Sequence, residues 1–168
     1  EEEDRSQSYT LAKREVSKKL KKQMKLVREF RLKPLNLLRS SAAVQPITVE
    51  ADLSTVLRIL GFAKHVFDHD LLDFEVDDDA WDMTFFQVEQ FPEVCEAYFN
   101  CLHDNDRSWG TCANYANSIY MVLECVFQGR DELHPTQRKL FKLRCQMEKM
   151  GRQSKQYKDA NKEFLTWE

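Results

Sequence analysis

Four glycines and four prolines punctuate 168 residues, and between them apolar side chains recur at intervals of three and four. A chain with so few breakers, and few β-branched residues in alternation, reads as helical throughout. The first helix is expected over about residues 8–32, where Val16, Leu20, Met24, Val27 and Phe30 form one stripe. Pro34 ends it, since a helix interior does not accept a residue lacking its N–H. The segment LNLLRSSAAVQPIT then reads as a linker, with Thr48 as a possible N-cap for a second helix near residues 49–67. Leu53, Val56, Leu57, Leu60 and Phe67 would turn that helix toward a core. The acidic stretch DHDLLDFEVDDDAWD reads as a loop with a short helical turn and its apolar residues tucked inward. Further helices are expected near residues 92–103, with Pro92 in the first turn. Another runs from a cap at Ser108 or Thr111 to Gln128, with Gly129 as its stop. The last opens at Pro135 and should run to about Tyr157. No internal repeat is present.

Charge divides the chain into three. Residues 1–40 carry 12 Lys/Arg against 6 Asp/Glu, residues 41–134 carry 4 against 18, and residues 135–168 carry 9 against 4. The domain reading follows that division: a basic helical arm and linker at 1–46, a helical body at 47–130, and a basic C-terminal helix at 131–168 leading toward a downstream domain. The basic flanks suit an anionic partner that the middle, at net −14 (4 Lys/Arg against 18 Asp/Glu), would repel. Equally, both flanks could fold back onto the acidic body. Nothing approaches the roughly 18 apolar residues of a membrane span, and the acidic start EEEDRSQS is not a targeting peptide. Five cysteines (Cys95, Cys101, Cys112, Cys125, Cys145) sit singly within apolar helical patterns, as reduced thiols of a nuclear or cytoplasmic protein do. Neither a membrane nor a small molecule is expected as a partner.

The basic helix has several readings. Eleven Lys/Arg fall in residues 9–40, among them Lys18, Lys19, Lys21, Lys22 and Lys25 around the apolar stripe. It could neutralise phosphates, enter an acidic groove or lie on anionic lipid. KKLKK could serve as a nuclear import signal. In the plainest reading the stripe packs on the domain or on a second copy. Chemistry-bearing candidates are thinner. His65 and His69 stand four residues apart on a helix, with Asp68, Asp70 or Asp73 as further ligands, but the HExxH glutamate is missing. Cys101 and His103 lie close without a Cys-x-x-Cys pair. Asp77, Asp78, Asp79 and Asp82 lack the alternation, glycine and closing glutamate of a Ca²⁺ loop. Gly61, Gly110, Gly129 and Gly151 are isolated, so no phosphate-cradling loop forms. Trp109, in the turn before the strongest helix, is expected either to plug the core or to anchor a partner.

A helix (VCEAYFNCL), a polar turn, then SWGTCANYANSIYMVLECVF is the most patterned stretch. It resembles the core-binding, SAM-like domain of the tyrosine recombinases. The carrying positions are Thr111, Tyr115, Ile119, Leu123 and Val126 or Phe127, with DLSTVLRILGFAKHVF matching the domain's first helix. The ending FLTWE is similar to the phrase that opens the family's catalytic domain, and KLRCQMEKMGRQSKQYKDANK would be the connection to it. The likeness covers roughly residues 48–168. It implies an all-α, SAM-like bundle of four to five helices with a basic N-terminal helical arm and a basic C-terminal linker helix. The function it implies is double-stranded DNA binding, with the family's catalytic Tyr, Arg, Lys and His lying in another domain. No residue here inherits a catalytic role, and no cofactor or metal is expected. Backbone contacts would come from Lys18, Lys19, Lys21, Lys22, Lys25 and Arg28, and from Arg138, Lys139 and Lys142, with Arg107 the one contact from the body. The alternative is a helical protein-interaction module, self-associating through basic segments and an acidic body.

Overall fold

The computed structural model describes residues 9–39, 42–72, 75, 77, 81–128 and 132–165, with side chains as far as residue 154. Among them are five α-helices, three 3-10 turns and no strand: α1 (Lys18–Leu32), α2 (Pro46–His65), α3 (Phe91–Asp104), α4 (Trp109–Val126) and α5 (Pro135–Leu165). The chain is all-α, as its punctuation predicts. Two calcium-ligand candidates (Asp78 and Asp79), Asp73 and the Gly129 stop lie outside the described residues.

Helix boundaries follow local chemistry. α1 begins at Lys18, well inside the expected span, because Ser17 Oγ accepts the Leu20 N–H at 3.0 Å and caps it. Residues before it are engaged elsewhere: the Leu11 N–H donates to the Leu57 carbonyl at 3.1 Å, so this segment straps across α2. The strap crosses at Gly61, where a Cβ would lie 1.5 Å from the Tyr9 carbonyl oxygen. α2 starts earlier than expected. Pro46 occupies its first turn, Gln45 is the cap residue, and Thr48 lies inside, donating its N–H to the Gln45 carbonyl. Of the two caps open for α4, Ser108 serves: its Oγ accepts the Thr111 N–H at 3.1 Å. The turn between α3 and α4 passes through Asp106 at φ 68°, a conformation Asp tolerates better than most residues. A 3-10 turn that the pattern did not reveal, Met83–Gln87, is capped by Asp82 and buries Met83, Phe85 and Phe86.

α4 is the hub. It pairs antiparallel with α5: Gly110 faces Gly151, Asn117 accepts from Arg144 Nη1 at 2.8 Å, and Tyr120 meets Phe141. Just beyond the helix end, Phe127 stacks on His134 at 4.0 Å. These positions step down α4 by seven, three and seven, so they share one face. The other face carries Ile119 and Val122 into the core and Tyr115 toward α2, where its hydroxyl accepts from Arg58 Nη1 at 2.6 Å. α2 and α5 thus sandwich α4, α1 packs on α2 and α4, and α3 contacts α2, α4 and α5. Leu20, Val27 and Phe30 of the basic helix are buried in the same core as Val49, Val56, Leu123 and Leu140.

Candidate nucleic-acid interface

The apolar stripe of α1 leaves its opposite side for the lysines. Leu20, Val27, Phe30 and Arg31 point inward, while Lys18, Lys21, Lys22 and Lys25 are exposed. Spaced by three, one and three residues, these four form a single line directed away from the core. None of them has an ion-pair partner among the described residues. The two other α1 candidates are engaged. Lys19 lies 3.6 Å from the buried Asp82, and Arg28 grips Glu50 through two hydrogen bonds of 2.6 and 3.2 Å. That grip raises the Arg28 pKa and lowers that of Glu50.

Arg31 and Arg39 serve the fold. Arg31 Nη1 donates to Asp52 Oδ2 at 2.6 Å, with both side chains buried. Arg39 donates to the Phe30 carbonyl at 2.6 Å and to the Pro34 carbonyl at 3.1 Å, closing the end of α1. Burial works against the charge of Asp82, yet bonds from Thr84 and Gln23 and the nearby Lys19 leave its pKa lowered. Lysines are therefore what α1 has to offer, and an ammonium is a point charge suited to any phosphate.

On α5, Lys139 and Lys142 are exposed, and Arg138 is exposed with a loose contact of 3.8 Å to Glu132. Lys149 and Arg152 continue the line of Arg138 and Lys142 at spacings of seven and three. The sequence reading missed these two, although the helical period extended beyond Lys142 would have found them. α1 and α5 share no substantial contact, so the ten expected residues do not form one patch. Arg107 is half-buried in the α3–α4 turn, its N–H donating to Leu102 and its carbonyl accepting from His103.

The remaining candidates are structural. His65 and Lys64 both contact Glu15 Oε2 at 2.8 Å, holding the strap to α2. The Lys64 bond chiefly, then the Ala12 N–H and His65, bring the Glu15 pKa down to about 2. His69 donates to the Ala63 carbonyl at 2.8 Å and lies beside the buried Trp81. Among the described residues no group of three His, Cys, Asp or Glu converges as metal ligands. Burial pushes the Cys112 and Cys125 thiols up to about 11 and Cys95 well above its usual value, away from thiolate chemistry. All five cysteines are free. Trp109 is half-buried, stacked on His103 at 3.8 Å, and borders a cavity of about 180 Å³ with Phe99, Met147 and Met150. No helix among the described residues is long and apolar enough to cross a membrane. No family model matches this sequence, no curated protein matches it, and no solved structure does so either.

Proposed function

We propose that this chain is a non-catalytic DNA-binding module of a tyrosine-recombinase-like protein, gripping the phosphate backbone through the lysine face of α1. The observation that carries this reading is the line of Lys18, Lys21, Lys22 and Lys25, exposed, without an ion-pair partner among the described residues and directed away from the core. Helix burial determines its direction, so the charges are presented without folding around a ligand. Lysine-only contact favours binding that reads charge rather than base sequence. The helix order α2, α3, polar turn, α4 follows the order that suggested the recombinase class and supports the same reading. Four phosphate contacts give a log–log salt slope of about −3.6, and changing all four lysines to Gln should remove the duplex that α1 holds. Fluorescence anisotropy with a labelled duplex across a salt series measures this. A quadruple variant that takes up as much duplex per chain as the unmodified chain would refute the role of α1.

A second reading, a protein-interaction module, is favoured by one feature. Between α1 and α2, Leu35 and Leu37 are 86% and 105% exposed, and Ile47 at the start of α2 is 79% exposed. The turn that holds the two leucines is well organised: Asn36 Oδ1 accepts the Leu38 N–H at 2.9 Å, and Arg39 clamps its base. Oligomers that dissociate when both leucines become Ser, in a chain with no affinity for DNA, would select this reading over the first.

A further inference from the structure

The two basic helices occupy opposite sides of the hub. Arg58 of α2 reaches α4 at Tyr115, and Arg144 of α5 reaches it at Asn117. Two residues apart on a helix point in widely different directions, so α2 and α5 cover different faces of α4. α1 lies on the α2 side, with its lysine line turned away from the core it shares with α2 and α4.

The outer side of α5 mirrors this arrangement. Leu140 and Met147 are buried and Arg144 is drawn inward to Asn117 and Glu148. Arg138, Lys142, Lys149 and Arg152 are exposed at spacings of four, seven and three, forming a second line of positive charge. Cys145 is exposed within the same line. The only acidic residue of α5 up to residue 154 is Glu148, which Arg144 engages at 3.0 Å. Apart from the loose 3.8 Å contact of Arg138 with Glu132, the second line is therefore uncompensated among the described residues.

Resting on the DNA-binding reading above, we infer that the chain is bivalent: α1 holds one duplex segment and the outer face of α5 holds a second, so that it bridges them. Charge complementarity identifies the occupant of the α5 face as another phosphate backbone. With the hub helix α4 between α1 and α5, at helix separations of roughly 8–10 Å each, and both lines turned away from it, one straight duplex cannot lie against both. A single bound segment would leave one line facing solvent.

Two short duplexes of unrelated sequence, one carrying a donor dye and the other an acceptor, test this with the intact chain. Energy transfer at low salt is expected, along with a stoichiometry of two duplexes per chain. Changing Arg138, Lys142, Lys149 and Arg152 to Gln should abolish transfer but leave one duplex bound, with the slope of about −3.6 that the four remaining contacts give. The α1 quadruple variant should behave in the same way. All eight side chains are exposed, so helical content by circular dichroism should be unchanged. In the unmodified chain, alkylation of Cys145 should slow as duplex is added and reach full protection only at two equivalents, a readout independent of any variant. Transfer that persists when either line is neutralised overturns the bridge, as does one duplex per chain with no transfer. If the unmodified chain changes the anisotropy of neither duplex, the DNA-binding reading fails and the bridge fails with it.

Discussion

Gly61 has no room for a side chain, since a Cβ would meet the Tyr9 carbonyl oxygen at 1.5 Å and the Leu11 nitrogen at 2.8 Å. Those atoms are backbone and have no rotamer by which to move. Gly61→Ala should displace the strap, losing the Leu11–Leu57 bond and part of the burial of Leu11. We expect a destabilisation of about 2–4 kcal/mol by urea titration, with new proteolysis N-terminal to α1. Arg31 and Asp52 make a second single-residue case. Asp52→Ala strands a buried guanidinium and should cost about 3–5 kcal/mol, whereas Arg31→Met with Asp52→Leu should cost far less, because it removes both desolvation penalties. Arg31 Nε already lacks a hydrogen-bond partner among the described residues, so the pair is not fully satisfied by them. A double-mutant cycle measures the difference. None of this is written locally: nothing around Gly61 in sequence announces Tyr9, and Arg31 looks like one more cation in a basic run.

At the scale of elements, the strap, α1 and α2 are joined by charge as well as by apolar contact. Glu15 holds Lys64 and His65, and its pKa falls from the ordinary 4.5 to about 2. A carboxyl depressed by folding contributes fully above its unfolded value and loses that contribution as pH falls through the folded one. The strap should therefore loosen between about pH 4.5 and 2. Glu15→Gln should remove that part of the acid sensitivity, read as a smaller change in melting temperature across the same window. The caps make a simpler case. Ser108→Ala removes the acceptor for the Thr111 N–H and should cost about 1 kcal/mol, measured by thermal melting. Ser108 was legible as a cap because a hydroxyl preceding an apolar period has few other uses. The start of α1 was not, because residues 9–15 could continue a helix on propensity and are drawn off it by the Ser17 cap and by contacts with α2 and α3.

For the whole molecule, one core runs through all five helices, with Leu20 and Phe30 from α1 and Leu140 and Met147 from α5 beside the residues of α2, α3 and α4. A fragment restricted to residues 47–130 would expose the sites those side chains fill. It should lose cooperative melting and bind a hydrophobic dye, whereas the whole chain should unfold in one transition. The three-part division by charge describes the surface, while burial ties the parts together. By itself the sequence determined the helical class, most helix spans and the amphipathic character of the basic helix. Those properties depend on the 3.6-residue period and on punctuation by Pro, Gly and Ser, which are local. Only the tertiary structure decided which cations are engaged and which are presented. Arg28, Arg31 and Lys19 find carboxylates 22, 21 and 63 residues away, while Lys18, Lys21, Lys22 and Lys25 find none among the described residues. Ion pairing acts through space over a few ångströms, and packing brings those partners together where spacing along the chain does not.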